Sequence, residues 1–310
     1  MKKYFIALVV VIVMSSNPAF SQGEDSARVA SQNPSPMVEY TRKHIRITER
    51  EFYGLTGEIK DILSRPVEIY IPRRSSTAYS ADLLIHFHGP YFVVNYAADS
   101  YKKPLIACSV NLGAGSAIYA REFKDTLKFL QLIDSINVVA ENMVHHRITI
   151  KHIILSGFSA GYGAIRQIIS YDRNLKTIDA VLLLDGIHAS YIPDRRVLSM
   201  GGKIDSMALV PFLNFARTCS QSSSRKKFLI THSEIFPGTF VSTTEATDYI
   251  LHCLGIKIKA VLRWGPLGMQ MISMAHRNHF EVLGFAGNSG PDHIDHLHAL
   301  YYFLKVLMQL

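Results

Sequence analysis

The stretch His152-Ile153-Ile154-Leu155-Ser156-Gly157-Phe158-Ser159-Ala160-Gly161 decides how this chain is read. An aliphatic, partly β-branched run ends in Gly-Phe-Ser-Ala-Gly. The small-residue helix start Tyr162-Gly163-Ala164-Ile165-Arg166-Gln167-Ile168-Ile169 follows at once. The order is strand, tight turn, helix, with Ser159 at the apex. A turn this sharp strains the apical residue and brings strand and helix almost into contact, so both flanks must be small. Gly157 and Gly161 supply that room, and Gly163 and Ala164 let the helix lie close to the strand. The spacing predicts a serine hydroxyl held clear of the sheet, beside a free backbone N–H at a helix N-terminus.

Outward from this turn, short apolar runs alternate with helical stretches. Strands are expected at 66–72, 82–89, 104–111, 152–155, 180–185, 227–232 and 279–285. Helices are expected over 121–143 and 243–253, and from 289 to the C-terminus. In that last helix Ile294, Leu297, Tyr301, Leu304 and Met308 share a face, and Pro291 stands just inside the start. Such alternation implies an α/β domain with a mainly parallel central sheet and helices on both faces. The stretch 187–216 is less regular and is expected to form a cap over the turn or a surface excursion. No internal repeat and no second domain is visible, so 37–310 is read as one domain.

The N-terminus carries a second signal. Lys2 and Lys3 precede an apolar run over 4–14, and Ser15, Ser16, Asn17 and Pro18 lead into Ala19-Phe20-Ser21. This pattern predicts a secretory signal peptide over 1–21 and a secreted or periplasmic protein. The run is short for a bilayer span, and no other segment reaches about 18 uninterrupted apolar residues, so stable membrane insertion is not expected. Residues 22–36 are polar and proline-containing and read as a flexible leader. The formal charge is +8, but its clusters, such as Arg73-Arg74 and Arg225-Lys226-Lys227, are scattered and no nucleic-acid module is recognisable. There are 3 cysteines, so at least one is unpaired. Cys108 lies in an apolar strand and is expected to be a buried thiol, while Cys219 and Cys253 are available to pair in an oxidising compartment.

A serine hydroxyl is a poor nucleophile alone. It needs a base, a group that orients the base, and donors for the oxyanion. The chain offers candidates in the order nucleophile, acid, histidine. The Gly-Phe-Ser-Ala-Gly turn, the strand end His86-Phe87-His88-Gly89 and the histidine-rich C-terminal region together resemble the α/β-hydrolase superfamily, in particular its secreted esterase-like members, over most of 60–310. The resemblance implies the α/β-hydrolase fold and cleavage of a carboxylic ester through an acyl-enzyme on Ser159, with no cofactor and no metal. The substrate would be a small-molecule, glycan or lipid ester. Peptidase, amidase and acyltransferase chemistry use the same machinery.

The resemblance also distributes roles. One oxyanion donor would be the Ala160 N–H, directly after the nucleophile. The other would come from the loop after the strand at 82–89; Pro90 has no N–H, which leaves Gly89 or Tyr91. The base would lie after the last strand, as His293 or, one turn on, His296. His298 falls on another side of the helix and is expected to be exposed. The acid would end the sixth or seventh strand, as Asp185 or Glu234. His86, His88 and His188 are possible pocket residues, against a bracing role for the first two. Tyr91, Phe92, Tyr191 and Trp264, placed in loops, are possible pocket walls.

Two other readings remain at this stage. One is a non-catalytic binding protein of α/β-hydrolase type that keeps the turn without a working triad. The other is a metal-dependent hydrolase with ligands from His86, His88, His293, His296 and His298.

Overall fold

Apolar runs just long enough for one strand each pair into a ten-stranded sheet in a computed structural model that describes residues 42–310. The expected signal peptide and leader lie outside the described residues. The strands of this sheet are β1 (Leu55–Ile59), β2 (Val67–Ile71), β3 (Ser80–Phe87), β4 (Leu105–Val110), β5 (Thr149–Phe158), β6 (Ala180–Leu184), β9 (Lys227–His232), β10 (Lys259–Trp264), β11 (Gln270–Arg277) and β12 (Phe280–Phe285). Their spatial order is β1-β2-β4-β3-β5-β6-β9-β12-β11-β10. From β4 to β12 all neighbours are parallel, and β1, β2, β10 and β11 add antiparallel edges. A separate two-stranded ribbon joins β7 (Tyr191–Ile192) to β8 (Lys203–Ile204).

The central strands read as continuous apolar runs because both of their faces are covered. In β3, Leu83, Ile85 and Phe87 enter one core and Leu84 the other. The first core is closed by α2 (Ser116–Glu122), α3 (Lys128–Val144), α4 (Tyr162–Ile169), α6 (Val210–Cys219) and α7 (Thr243–Leu254). The second is closed by α1 (Tyr91–Ser100) and α9 (Leu300–Gln309). A short α5 (Asp172–Thr177) precedes β6, and α8 (Gly290–His298) leads into α9. Strand order reverses between β3 and β5, and a crevice forms outside the carboxyl ends of the strands at such a switch point. The turn at Ser159 sits there.

Several expectations need correction. The helix expected over 121–143 is two helices, α2 and α3. Between them the Leu127 N–H bonds to Asp125 Oδ1 at 2.9 Å, a local turn that competes with helix continuation. The C-terminal helix breaks at Ala299 into α8 and α9. Helix α1 begins at Tyr91, directly after Pro90, in a stretch read as loop. Strands β1, β10 and β11 were not foreseen; β10 is almost wholly exposed, so no buried face imposes an alternating pattern on it. The cysteines do not pair: Cys219 is buried in the first core, its thiol pushed up to about 12 by burial, while Cys253 is exposed. Among the described residues, no helix is long and apolar enough to cross a membrane.

Candidate active site

The elbow is built by close backbone approach. Strand β5 ends at Phe158, and Ser159–Gly161 make one 3-10 turn before α4. Ser159 adopts φ 45°, a left-handed conformation that a non-glycine residue takes only when its surroundings impose it. A Cβ on Gly161 would lie 2.1 Å from Phe87 O, so the turn abuts the end of β3. A Cβ on Gly186 would stand 2.5 Å from Ser159 O, so the loop after β6 touches the elbow from the other side. Ser159 itself remains half-exposed.

That second contact brings Asp185 into place. It follows β6, is 3% exposed, and also has a positive φ of 43°. Its carboxylate accepts from the Ser233 N–H at 3.0 Å, the Ser233 hydroxyl at 2.6 Å and His293 Nδ1 at 2.8 Å. Burial alone would raise its pKa, but the His293 hydrogen bond, the nearby His296 and His293 rings and Ser233 together hold it well below the usual carboxylate range. Asp185 is therefore an anion that fixes the proton of His293 on Nδ1. The lone pair of Nε2 is left free, the tautomer a general base needs.

His293 is in the first turn of α8. That helix starts with a reciprocal cap: the Asp292 N–H donates to Ser289 Oγ, and the Ser289 N–H donates to Asp292 Oδ2. The His293 ring lies 4.5 Å from the ring of Phe158, the residue before the serine. Ser159, Asp185 and His293 line one inner cavity of about 130 Å³ with His188, Phe240 and Thr243. A wider outer cleft of about 780 Å³ shares Ser159, His188 and Phe240 and adds Ala160. No hydrogen bond joins the Ser159 hydroxyl to His293 among the described residues; such contacts often tighten only when substrate is bound.

The structure brings Ser159, His293, Asp185, Ala160 and His188 to these cavities and takes the remaining candidates elsewhere. His296 is buried, with Nδ1 on Thr231 Oγ1 at 2.8 Å and its ring against Phe285 and Phe303. Glu234 is exposed and clasps Gly287 through its own N–H and its carboxylate. His298, expected to be exposed, is 7% exposed and its Nδ1 accepts from the Ile47 N–H at 3.0 Å, because the incoming segment 42–50 crosses that side of α8. Gly89 and Tyr91 line neither cavity. Tyr91 opens α1 with its hydroxyl on Glu49, and Gly89 lies against Leu297.

His86 braces the loop after β3. Its Nε2–H donates to His88 O at 3.1 Å, so Nδ1 accepts from the Ser156 hydroxyl, also at 3.1 Å. His88 bonds Tyr119 and stacks on Phe158. His188 donates Nδ1–H to Val241 O at 3.0 Å and sits between the rings of Tyr162 and Phe240. Of the aromatic candidates, Tyr191 is buried in the small ribbon and Trp264 is exposed on the sheet edge.

These commitments separate the histidines of the metal reading. Among the described residues, the group with metal-ligand spacing is instead His44, Asp292 and Asp295. Arg42 lies on both of those carboxylates and Arg46 on Asp295, so the donors are already neutralised by guanidinium groups and do not fit a cation.

Sequence reasoning missed Ser233 and Phe158 as supports of the site. Ser233 stands next to Glu234, and only the path of the loop after β9 shows that the serine, not the acid, turns inward.

The buried rings predict how stability depends on pH. Burial pushes His86 down to about 3 and His296 down to about 4, against 6.5 in the unfolded chain. Between about pH 4 and 6.5 the unfolded chain takes up protons that the folded chain refuses, so stability rises with pH across that window. Each unit of depression corresponds to about 1.4 kcal/mol. Urea-unfolding midpoints should climb steadily over this range; a flat profile contradicts neutral, buried rings.

The strand order and the strand-turn-helix elbow after β5 are those of the α/β-hydrolase fold. No family model matches the chain, and no curated protein does either. Among solved structures it is similar to Est1E from Butyrivibrio proteoclasticus, at 10% identity and a TM-score of 0.42, over 83% of this chain and 100% of that one.

Proposed function

We propose that this protein is an exported serine hydrolase that cleaves carboxylic esters. Ser159 Oγ attacks the acyl carbon while His293 Nε2 takes its proton. Asp185 holds the ring and offsets the charge of the imidazolium that forms. The Ala160 N–H, at the start of the turn after the nucleophile, stabilises the oxyanion. The C–O bond of the ester then breaks, and the imidazolium returns its proton to the leaving alcohol. Water, deprotonated by the same ring, releases the acid. The reading rests above all on the 2.8 Å bond between His293 Nδ1 and Asp185 Oδ2, in a cavity that Ser159 also lines. The export part of the proposal rests on the N-terminal pattern over 1–21.

A fluorophosphonate probe tests it. The unmodified protein should form one adduct, mapped by peptide mass spectrometry to Ser159. Absence of any adduct would favour a binding protein that kept the turn without the chemistry. An adduct on another residue would move the nucleophile.

A further inference from the structure

The outer cleft contains a cation whose charge the proposed chemistry does not use. Arg166 is in α4, the helix that follows the elbow, and lines the same cleft as Ser159 and Ala160. It is half-buried, and among the described residues no carboxylate lies within the 4.0 Å of an ion pair. Its guanidinium stands 5.4 Å from the centroid of the Tyr162 ring. That ring is itself tethered, because the Ser116 hydroxyl donates to Tyr162 Oη at 3.1 Å. An arginine resting on a tethered ring loses less freedom when it binds, and its planar fork matches a carboxylate with two parallel N–H donors.

We propose that Arg166 selects esters that carry a carboxylate on the part of the substrate lying in the outer cleft. This rests on the hydrolase reading and deepens it by naming a substrate class. Of the remaining groups, the hydroxyl of Ser190, which lines the cleft, can donate to such a ligand. His188 presents an acceptor nitrogen, since its Nδ1–H is spent on Val241 O, and gives a carboxylate no donor. Asp205 lines the cleft as well and opposes the proposal, because it favours a cation or a hydroxyl donor. The formal charge, +8 for the full sequence and +6 without Lys2 and Lys3 of the expected signal peptide, adds a field that draws anions toward the surface.

Two matched ester pairs place the charge on either side of the scissile bond. One is 4-nitrophenyl hemisuccinate against 4-nitrophenyl pentanoate. The other is 4-acetoxybenzoate against its methyl ester. In at least one pair kcat/KM should favour the anion by about 10–100-fold, the worth of one charge-assisted arginine–carboxylate contact. Arg166→Gln should remove that ratio, and Arg166→Lys should keep part of it. Because the readout is a ratio within one preparation, partial misfolding of a variant does not mimic the effect. Equal rates within both pairs, a ratio that survives Arg166→Gln, or faster turnover of a quaternary-ammonium ester would each overturn the proposal while leaving the hydrolase reading intact. Should no ester be turned over, calorimetric titration with succinate and benzoate decides. Binding weakened at least tenfold by Arg166→Gln supports the anion site without the hydrolase reading, and no binding overturns the anion site.

Discussion

Ser159→Ala is expected to lower kcat for an activated ester by about 10⁵–10⁶ while leaving the thermal unfolding midpoint nearly unchanged. The size follows from what is removed. The Ala160 N–H and the cavity survive, so water can still attack a bound ester slowly, but no acyl-enzyme forms. Stability should hardly move because the hydroxyl is half-exposed and forms no part of the core. The strained φ of 45° at this position is imposed by Phe87 and Gly186 on either side rather than by the side chain, so alanine inherits the same backbone. Stopped-flow assays for burst-phase alcohol release, paired with steady-state rates, check both halves. A variant that keeps more than about 1% of wild-type turnover would remove Ser159 from the chemistry.

Asp185→Asn should cost about 10⁴ in kcat with the fold retained, and the reason can be traced atom by atom. Asp185 Oδ1 accepts from the Ser233 N–H, which has no alternative role, so the asparagine carbonyl is drawn to that position. The amide nitrogen then occupies the place of Oδ2, where it faces the Ser233 hydroxyl and His293 Nδ1. The hydroxyl can rotate and accept. The imidazole has to accept too, which moves its proton to Nε2 and leaves no lone pair facing Ser159. The loss is one of tautomer rather than of position. Glu234→Gln, made for comparison, should change kcat by less than about threefold, because that carboxylate serves only a loop contact to Gly287. Steady-state kinetics on the two variants provides the check. Equal losses in both, or a larger loss at Glu234, would overturn the assignment of the acid.

Much of this arrangement could be read along the chain because it is made by neighbours in sequence. The elbow is a local object: Gly157, Ser159, Gly161 and Gly163 stand within one strand-turn-helix, and small residues are required wherever two backbones nearly touch. The parallel sheet was legible for a similar reason, since strands buried on both faces need uninterrupted apolar runs such as 180–184. Strands whose faces are open carry no such constraint, which is why β10 left no pattern. Helix α1 is hidden in the sequence because it starts directly after Pro90, with no side-chain cap to mark its first turn.

Which acid and which histidine share a cavity with Ser159 was decided only by tertiary structure. The chain presents two acids and two histidines near the expected strand ends, and side-chain type alone does not place them. Asp185 is there because the loop after β6 lies against the backbone of Ser159, and His293 because a capped helix turns its first residues toward Phe158. His296, one turn along, is carried into the core between Phe285 and Phe303. The amino-acid order by itself settled that a serine would be lifted at a strand-to-helix turn in an α/β sheet, since those forces act over a few residues. The hydrogen bonds around it join residues 48 and 108 positions apart that meet at the carboxyl ends of the central strands, and only the packed molecule determines where such loops end.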